Sequence, residues 1–189
     1  MSALSEKKTF TPSEYLAMEA EASYRSEYMD GFIYAMAGGS YTHNLLCNRV
    51  GGLLDRLLLD RDCSVLNSDM KVAIELANSF LYPDVSVVCD KPLFYQNRKD
   101  IVTNPVLIVE VLSESTQQFD LGAKFFRYRT IPSLLHYLLV YPEQPKVELF
   151  SKRDRNIWQM ETFEGLETSF SLPALDLELS LAEVYHKVL

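Results

Sequence analysis

The chain has 189 residues, 48% of them hydrophobic and 12% aromatic, which supports a dense globular core and argues against disorder. No stretch reaches the ~18 apolar residues of a membrane span, and MSALSEKKTF lacks a signal-peptide core, so a soluble cytoplasmic protein without a membrane partner is expected. The formal charge of −8 argues against tight, nonspecific nucleic-acid binding, although a local basic edge or a carboxylate-held cation can offset it where a phosphate sits.

In chain order, Thr11, Pro12 and Glu14 have the spacing of a capped helix start. Residues 24–28 and 32–36 flank Asp30-Gly31 and predict a hairpin. Ser40 is a candidate cap for a helix over 41 to about 59, whose Leu45, Leu46, Val50, Leu53, Leu54 and Leu57 recur at helical spacing. Strands are expected at 63–66 and 70–76, the second alternating enough to face solvent on one side; Lys71 within it reads as solvated or as the basic wall of a cleft. Residues 78–82 read as a connection, 84–88 as a buried strand, and 89–103 as a polar loop of the length that often borders an active site.

The segment NPVLIVEVLSEST follows. Its apolar run, 105–112, is the pattern of a strand buried on both faces of an α/β sheet. Residues 113–116 suit a turn and helix cap, 117–129 a helix ending before Pro132, and 134–140 another apolar strand. Antiparallel strands are expected at 146–150, 157–163 and 168–172, and a terminal helix at 181–188. With no repeat or linker, one domain over 1–189 is expected, its core at about 24–142 and C-terminal strands and helix at 146–189. Cys47, Cys63 and Cys89 lack metal-ligand spacing and read as buried free thiols.

Glu110 is the one ionisable residue in the central apolar run. A buried carboxylate needs a cation, a donor or a proton. On the helix that follows, Leu121, Lys124, Phe125 and Tyr128 share one face with Asp120 at its edge, so Lys124 lies inside the apolar stripe. A strand feeding directly into a helix packs that helix back on the sheet, which points Lys124 at Glu110. The plainer account is a lysine snorkelling to water. Asp84, after Pro83, becomes a candidate metal ligand once it is paired with Glu110 on a second buried strand. Two carboxylates and a strand carbonyl, that of Val111, are enough protein ligands for Mg²⁺. Together the groups suit in-line attack of water on a phosphodiester, with Lys124 orienting the water or stabilising charge.

The pattern YPDVSVVC, NPVLIVEVLSEST and FDLGAKFFRYRTIPSLLHYLLV resembles the PD-(D/E)XK nuclease superfamily, and in particular its "putative restriction endonuclease" branch, over residues 24–140. In the superfamily's usual pattern the lysine lies two residues beyond the acid, where this chain has Leu112; the similar branch supplies it from the next helix, which Lys124 matches. The resemblance implies a restriction-endonuclease-like α/β fold, a mixed central sheet flanked by helices with an additional antiparallel β region. It also implies Mg²⁺ or Mn²⁺ dependence, a nucleic-acid substrate with DNA expected first, and homodimerisation. Glu27 matches an acidic position of the similar branch, or is an exposed strand residue. His43 reaches the cleft as a helper, or is a partly buried structural histidine. Asp120 orients Lys124 across a helical turn, or forms a surface ion pair. Glu114 reads as a loop or cap residue, and Asp69, His136, His186 and Trp158 form no pattern. The rival functions are an inactive nuclease-fold module that binds nucleic acid or protein, and a structural module in which Glu110 and Lys124 form only a buried ion pair.

Overall fold

Two mixed β-sheets position the residues singled out above. The structure, a computed structural model, describes residues 8–113, 119–155 and 157–188. Helix α1 is Pro12–Glu21, started by a capping box in which Thr11 accepts from the Glu14 N–H and Glu14 accepts from the Thr11 N–H. The hairpin follows as β1, Ser26–Met29, and β2, Phe32–Ala35. Its turn places both Asp30 and Gly31 at positive φ, 48° and 93°, the left-handed geometry that an Asp-Gly pair tolerates. Helix α2, Tyr41–Leu57, is capped by Ser40 and buries Leu46, Val50, Leu53 and Leu54. The chain continues through β3 (Cys63–Asn67), β4 (Lys71–Ile74), β5 (Ser79–Leu81), β6 (Val85–Cys89), β7 (Ile101–Val102) and β8 (Leu107–Val111).

After β8, a π-helical turn, Asp120–Lys124, runs into an α-helical turn, Phe125–Tyr128; the two make up α3. Strands β9 (His136–Tyr141), β10 (Lys146–Asp154), β11 (Ile157–Glu164), β12 (Ser169–Leu172) and β13 (Leu177–Ser180) lead to the short helix α4, Leu181–Val184. The larger sheet has the order β11-β10-β9-β8-β6-β3, and the second the order β2-β1-β5-β4-β7; β12 and β13 pair separately. Strand β8 runs parallel to β9 and antiparallel to β6. The parallel pair forces a crossover, and α3 lies within it.

Strand β8 is central because both of its faces are covered. Val109 and Val111 join the core that includes Leu46 and Leu54 of α2, while Ile108 and Leu112 join a second core with Phe125 and Tyr128 of α3. Full burial of each such aliphatic side chain contributes roughly 1.5–3 kcal/mol. Glu110 therefore projects on the α3 side, where it is buried.

Five sequence expectations need correction. Strand β4 is buried at all four positions, because Val72 and Ile74 face one core while Ala73 faces another with Tyr15 and Phe80. Lys71 is accordingly buried rather than solvated. The 78–82 connection contains a strand, β5, too short to show periodicity. Cys63 and Cys89 are not free thiols: they sit directly opposite each other in the β3–β6 ladder and form a disulfide, leaving Cys47 free. The terminal helix stops at Val184, and the expected cap over 113–116 and the helix start at 117 fall largely outside the described residues. Among the described residues, no helix is long and apolar enough to cross a membrane.

Candidate active site

The carboxyl end of β8 collects four acids and one lysine. Lys124 Nζ lies 3.2 Å from Glu110 Oε1, 3.2 Å from Glu27 Oε1 and 3.3 Å from Asp120 Oδ1. The three acids come from β8, from β1 of the other sheet, and from the preceding turn of α3, so the ammonium ties both sheets to the crossover helix. All four side chains are buried, which disposes of the snorkelling account for Lys124 and of the exposed-strand account for Glu27. Glu27 Oε1 also accepts the Tyr82 N–H at 3.0 Å, and Glu110 Oε1 accepts the Tyr128 hydroxyl at 3.2 Å. Tyr137 donates to the Asp120 carbonyl at 2.8 Å, steadying the π-helical turn from β9. Such turns widen a helix locally and occur often at functional sites.

Burial pushes the Glu110 carboxyl well above the usual carboxylate range; Lys124 opposes that push, while Asp120, Asp84 and Glu27 add to it. Burial alone would lower the Lys124 ammonium, but Glu110, Glu27, Asp120 and Asp84 outweigh it and hold the proton on. The cluster thus sets several carboxylates against one fixed positive charge.

Asp84 enters from the other side of the strand. Leu112 N–H bonds the Val140 carbonyl of β9, so the Val111 N–H points the opposite way, beyond the point where β6 begins. The Asp84 carboxylate takes that orphan donor, with Oδ2 2.8 Å from the Val111 nitrogen. One step past the Val85–Val109 pairing, the register sets Asp84 opposite Glu110. The second oxygen contact of Asp84 is with α2: His43 Nε2 is 3.3 Å from Oδ2. That hydrogen bond, more than any other influence, raises the His43 imidazole above its ordinary value. His43 and Asp84 keep 18% and 15% of their side-chain surface exposed, so the site meets solvent on this side.

The structure therefore brings together Asp84, Glu110, Val111, Lys124, Glu27, Asp120 and His43. Glu114 lies outside the described residues, and Lys71 stands apart, against Glu19, Tyr15 and Tyr82. Two neighbours read in the sequence as packing residues and not as part of the site. Tyr128 shares the Lys124 face at i+4, a spacing that does signal contact. Cys47, at i+4 from His43, places Sγ 3.6 Å from His43 Nδ1. Burial, and then the charges of Asp84 and Glu110, push its thiol up, which is the opposite of what an activated thiol nucleophile requires.

Comparison with known proteins places the chain in a family. Residues 12–182 match the family model Uma2, described as "Putative restriction endonuclease". Two Synechocystis proteins are similar over most of their length. Uncharacterized protein slr1290 is 36% identical over 93% of this chain and 90% of its own. Uncharacterized protein sll1609 is 40% identical over 87% and 94%. Among solved structures, one described as a putative nuclease belonging to DUF820 from Anabaena variabilis superposes with a TM-score of 0.79. It covers 95% of this chain and 99% of its own at 17% identity, a likeness of fold.

Proposed function

The chain belongs to the Uma2 family of restriction-endonuclease-like proteins, and on that premise we propose that it hydrolyses nucleic-acid phosphodiesters, DNA first among them, at a divalent-metal site built on Asp84 and Glu110. One observation carries the reading: Glu27, Glu110 and Asp120 converge on Lys124 at a strand end that Asp84 also reaches. Such an excess of buried carboxylate over ammonium fits a cation. The oxygens of Asp84 and Glu110 and the Val111 carbonyl are the groups that would hold it, an all-oxygen set suited to Mg²⁺ and also to Mn²⁺. When bound, the ion supplies a Lewis acid for the phosphoryl oxygen and acidifies the attacking water.

The remaining work falls to the chain's own side chains. Lys124 directs its ammonium at three carboxylate oxygens and keeps its proton. A protonated lysine cannot act as a general base, so its part is to stabilise negative charge developing on the phosphoryl group. Glu27 and Asp120 fix the position of that ammonium. Tyr128 fixes the Glu110 oxygen, and the Val111 N–H fixes Asp84. Substrate approaches from the His43–Asp84 side, where the cluster meets solvent. The proposal extends to a cytoplasmic protein whose 189 residues act as one unit and pair as a homodimer.

Replacing Glu110 by Gln removes a ligand charge at nearly constant shape and lowers Mg²⁺-dependent cleavage of plasmid DNA by about 10³-fold, the scale of losing one strong electrostatic contact. Unchanged cleavage by pure Glu110→Gln protein removes Glu110 from the mechanism. A second reading, a nuclease fold that binds without cleaving, draws on the same ion pairs, because they already engage the Lys124 ammonium. Calorimetry separates the two: Mg²⁺ or Mn²⁺ binding that is lost in Asp84→Ala favours the nuclease, and no metal binding to the wild type favours the binding module.

A further inference from the structure

His43, Cys47 and Asp84 form a second constellation that the nuclease reading does not use in full. One ligand atom from each, an imidazole nitrogen, the thiol sulfur and a carboxylate oxygen, lie within 4.8 Å of one another. We propose that these three side chains bind a borderline transition ion of the Zn²⁺ class, and that this ion competes with the nuclease metal for Asp84. The competition rests on the nuclease reading; the binding does not.

The argument begins with helix geometry. His43 and Cys47 are one helical turn apart on α2 and so share a face, and that face meets Asp84 where β6 begins. Tetrahedral zinc bonds of about 2.0–2.3 Å set ligand atoms about 3.5 Å apart. One contact already has that spacing, His43 Nε2 to Asp84 Oδ2 at 3.3 Å, while Cys47 Sγ lies 3.6 Å from the other ring nitrogen, Nδ1. An ion takes one ring nitrogen only, so the imidazole turns to present it alongside the thiol sulfur and a carboxylate oxygen, atoms that already lie within 4.8 Å of one another. Nitrogen, sulfur and oxygen donors together favour Zn²⁺ or Co²⁺ over Mg²⁺, which takes oxygen. Three protein ligands leave a fourth tetrahedral position, and the partly exposed edges of His43 and Asp84 give an ion a way in.

Gly39 leaves the space beside the ring clear. A Cβ at that position would meet His43 Nδ1 at 2.6 Å, so only glycine admits the imidazole where it lies. Ser40, which caps α2 by accepting the His43 N–H, fixes the backbone of the same residue. On binding, the Cys47 S–H bond breaks, its proton passes to solvent, and a metal–sulfur bond forms from the thiolate pair. No oxidant or reductant is involved.

Co²⁺ is the probe, because a thiolate on Co²⁺ gives a charge-transfer absorption that oxygen and nitrogen ligands do not. Titrating the full chain with Co²⁺ produces that band, and Zn²⁺ abolishes it by displacement. Cys47→Ser removes the band. Zn²⁺ affinity falls by about 100-fold or more in both Cys47→Ser and His43→Ala, since losing even an outer-shell partner costs about 10–100-fold. Glu110→Gln retains the band, so failure of the nuclease reading leaves the site measurable. Circular dichroism confirms that each variant is folded; should His43→Ala fail to fold, Gly39→Ala, which displaces the ring, weakens Zn²⁺ binding in its place. A wild-type chain with no band, or a band that survives in Cys47→Ser, overturns the proposal.

Discussion

Two buried lysines lie in this molecule under opposite regimes. Lys124, at the end of β8, has three carboxylate oxygens within 3.2–3.3 Å, and they raise its ammonium despite burial. Lys71, in β4, is as deeply buried but has one carboxylate, Glu19, at 4.0 Å, and the rings of Tyr15 and Tyr82 at 4.9 and 5.1 Å. There burial wins, and the ammonium is lowered. The aromatic faces are modest partners for a cation, worth roughly 0.5–2 kcal/mol. Burial alone therefore does not mark a lysine as functional. On the proposed nuclease reading the count of acids around it does, because excess acid is what a metal or a phosphoryl group can answer.

Replacing Lys124 by Met is the harshest way to break this contrast. It strands three buried carboxylates, and removing one partner of a buried ion pair costs about 3–5 kcal/mol. For a chain of this length that is a fall in Tm on the order of 10 °C, read by thermal unfolding followed by circular dichroism.

His136 extends the series to a buried base with no acid against it among the described residues. Its ring bonds the Ser151 hydroxyl at 3.0 Å and accepts the Ala174 N–H at 3.2 Å, and burial lowers its pKa to about 4. The unfolded chain, with an ordinary histidine near 6.5, binds the proton more readily than the native one. Stability is thus complete above about pH 6.5 and falls as the pH drops towards about 4, by roughly 2 kcal/mol for this residue. The measurement is the difference in urea stability between wild type and His136→Gln at pH 7 and pH 4.5; a pH-independent difference would contradict it.

Lys71→Met has the smallest expected effect. A weakly answered buried charge gives way to an apolar side chain of similar length, and stability changes by no more than about 1 kcal/mol in either direction. Equal losses for Lys71→Met and Lys124→Met would erase the distinction between the two lysines.

What the sequence made legible follows from the range of the forces involved. The unbroken apolar run of β8, the periodicity of α2 and the Asp-Gly hairpin are local signals, and each element forms where it was expected. The pairing of Glu110 with Lys124 was legible because one βα crossover joins them. Glu27, buried against Lys124 from the other sheet, was visible only through resemblance to a family, since nothing near Ser26 or Tyr28 signals that contact. The burial of Lys71 was hidden because the aromatic partners arrive from distant segments, Tyr15 of α1 and Tyr82 after β5. The Cys63–Cys89 bond depends on a pairing of β3 with β6 across a separation of 26 residues, and no spacing rule announces it. Cys47 had a local signal, its position four residues after His43, but an apolar neighbourhood made it read as core.

The most direct test of a metal-dependent nuclease centred on Asp84 and Glu110 is a crystal structure of the chain soaked in Mn²⁺, with anomalous scattering used to locate the ion. The account predicts a peak within bonding distance of an oxygen from each of Asp84 and Glu110. Saturating Mn²⁺ with no peak between those carboxylates, and Lys124 still paired as before, would contradict it.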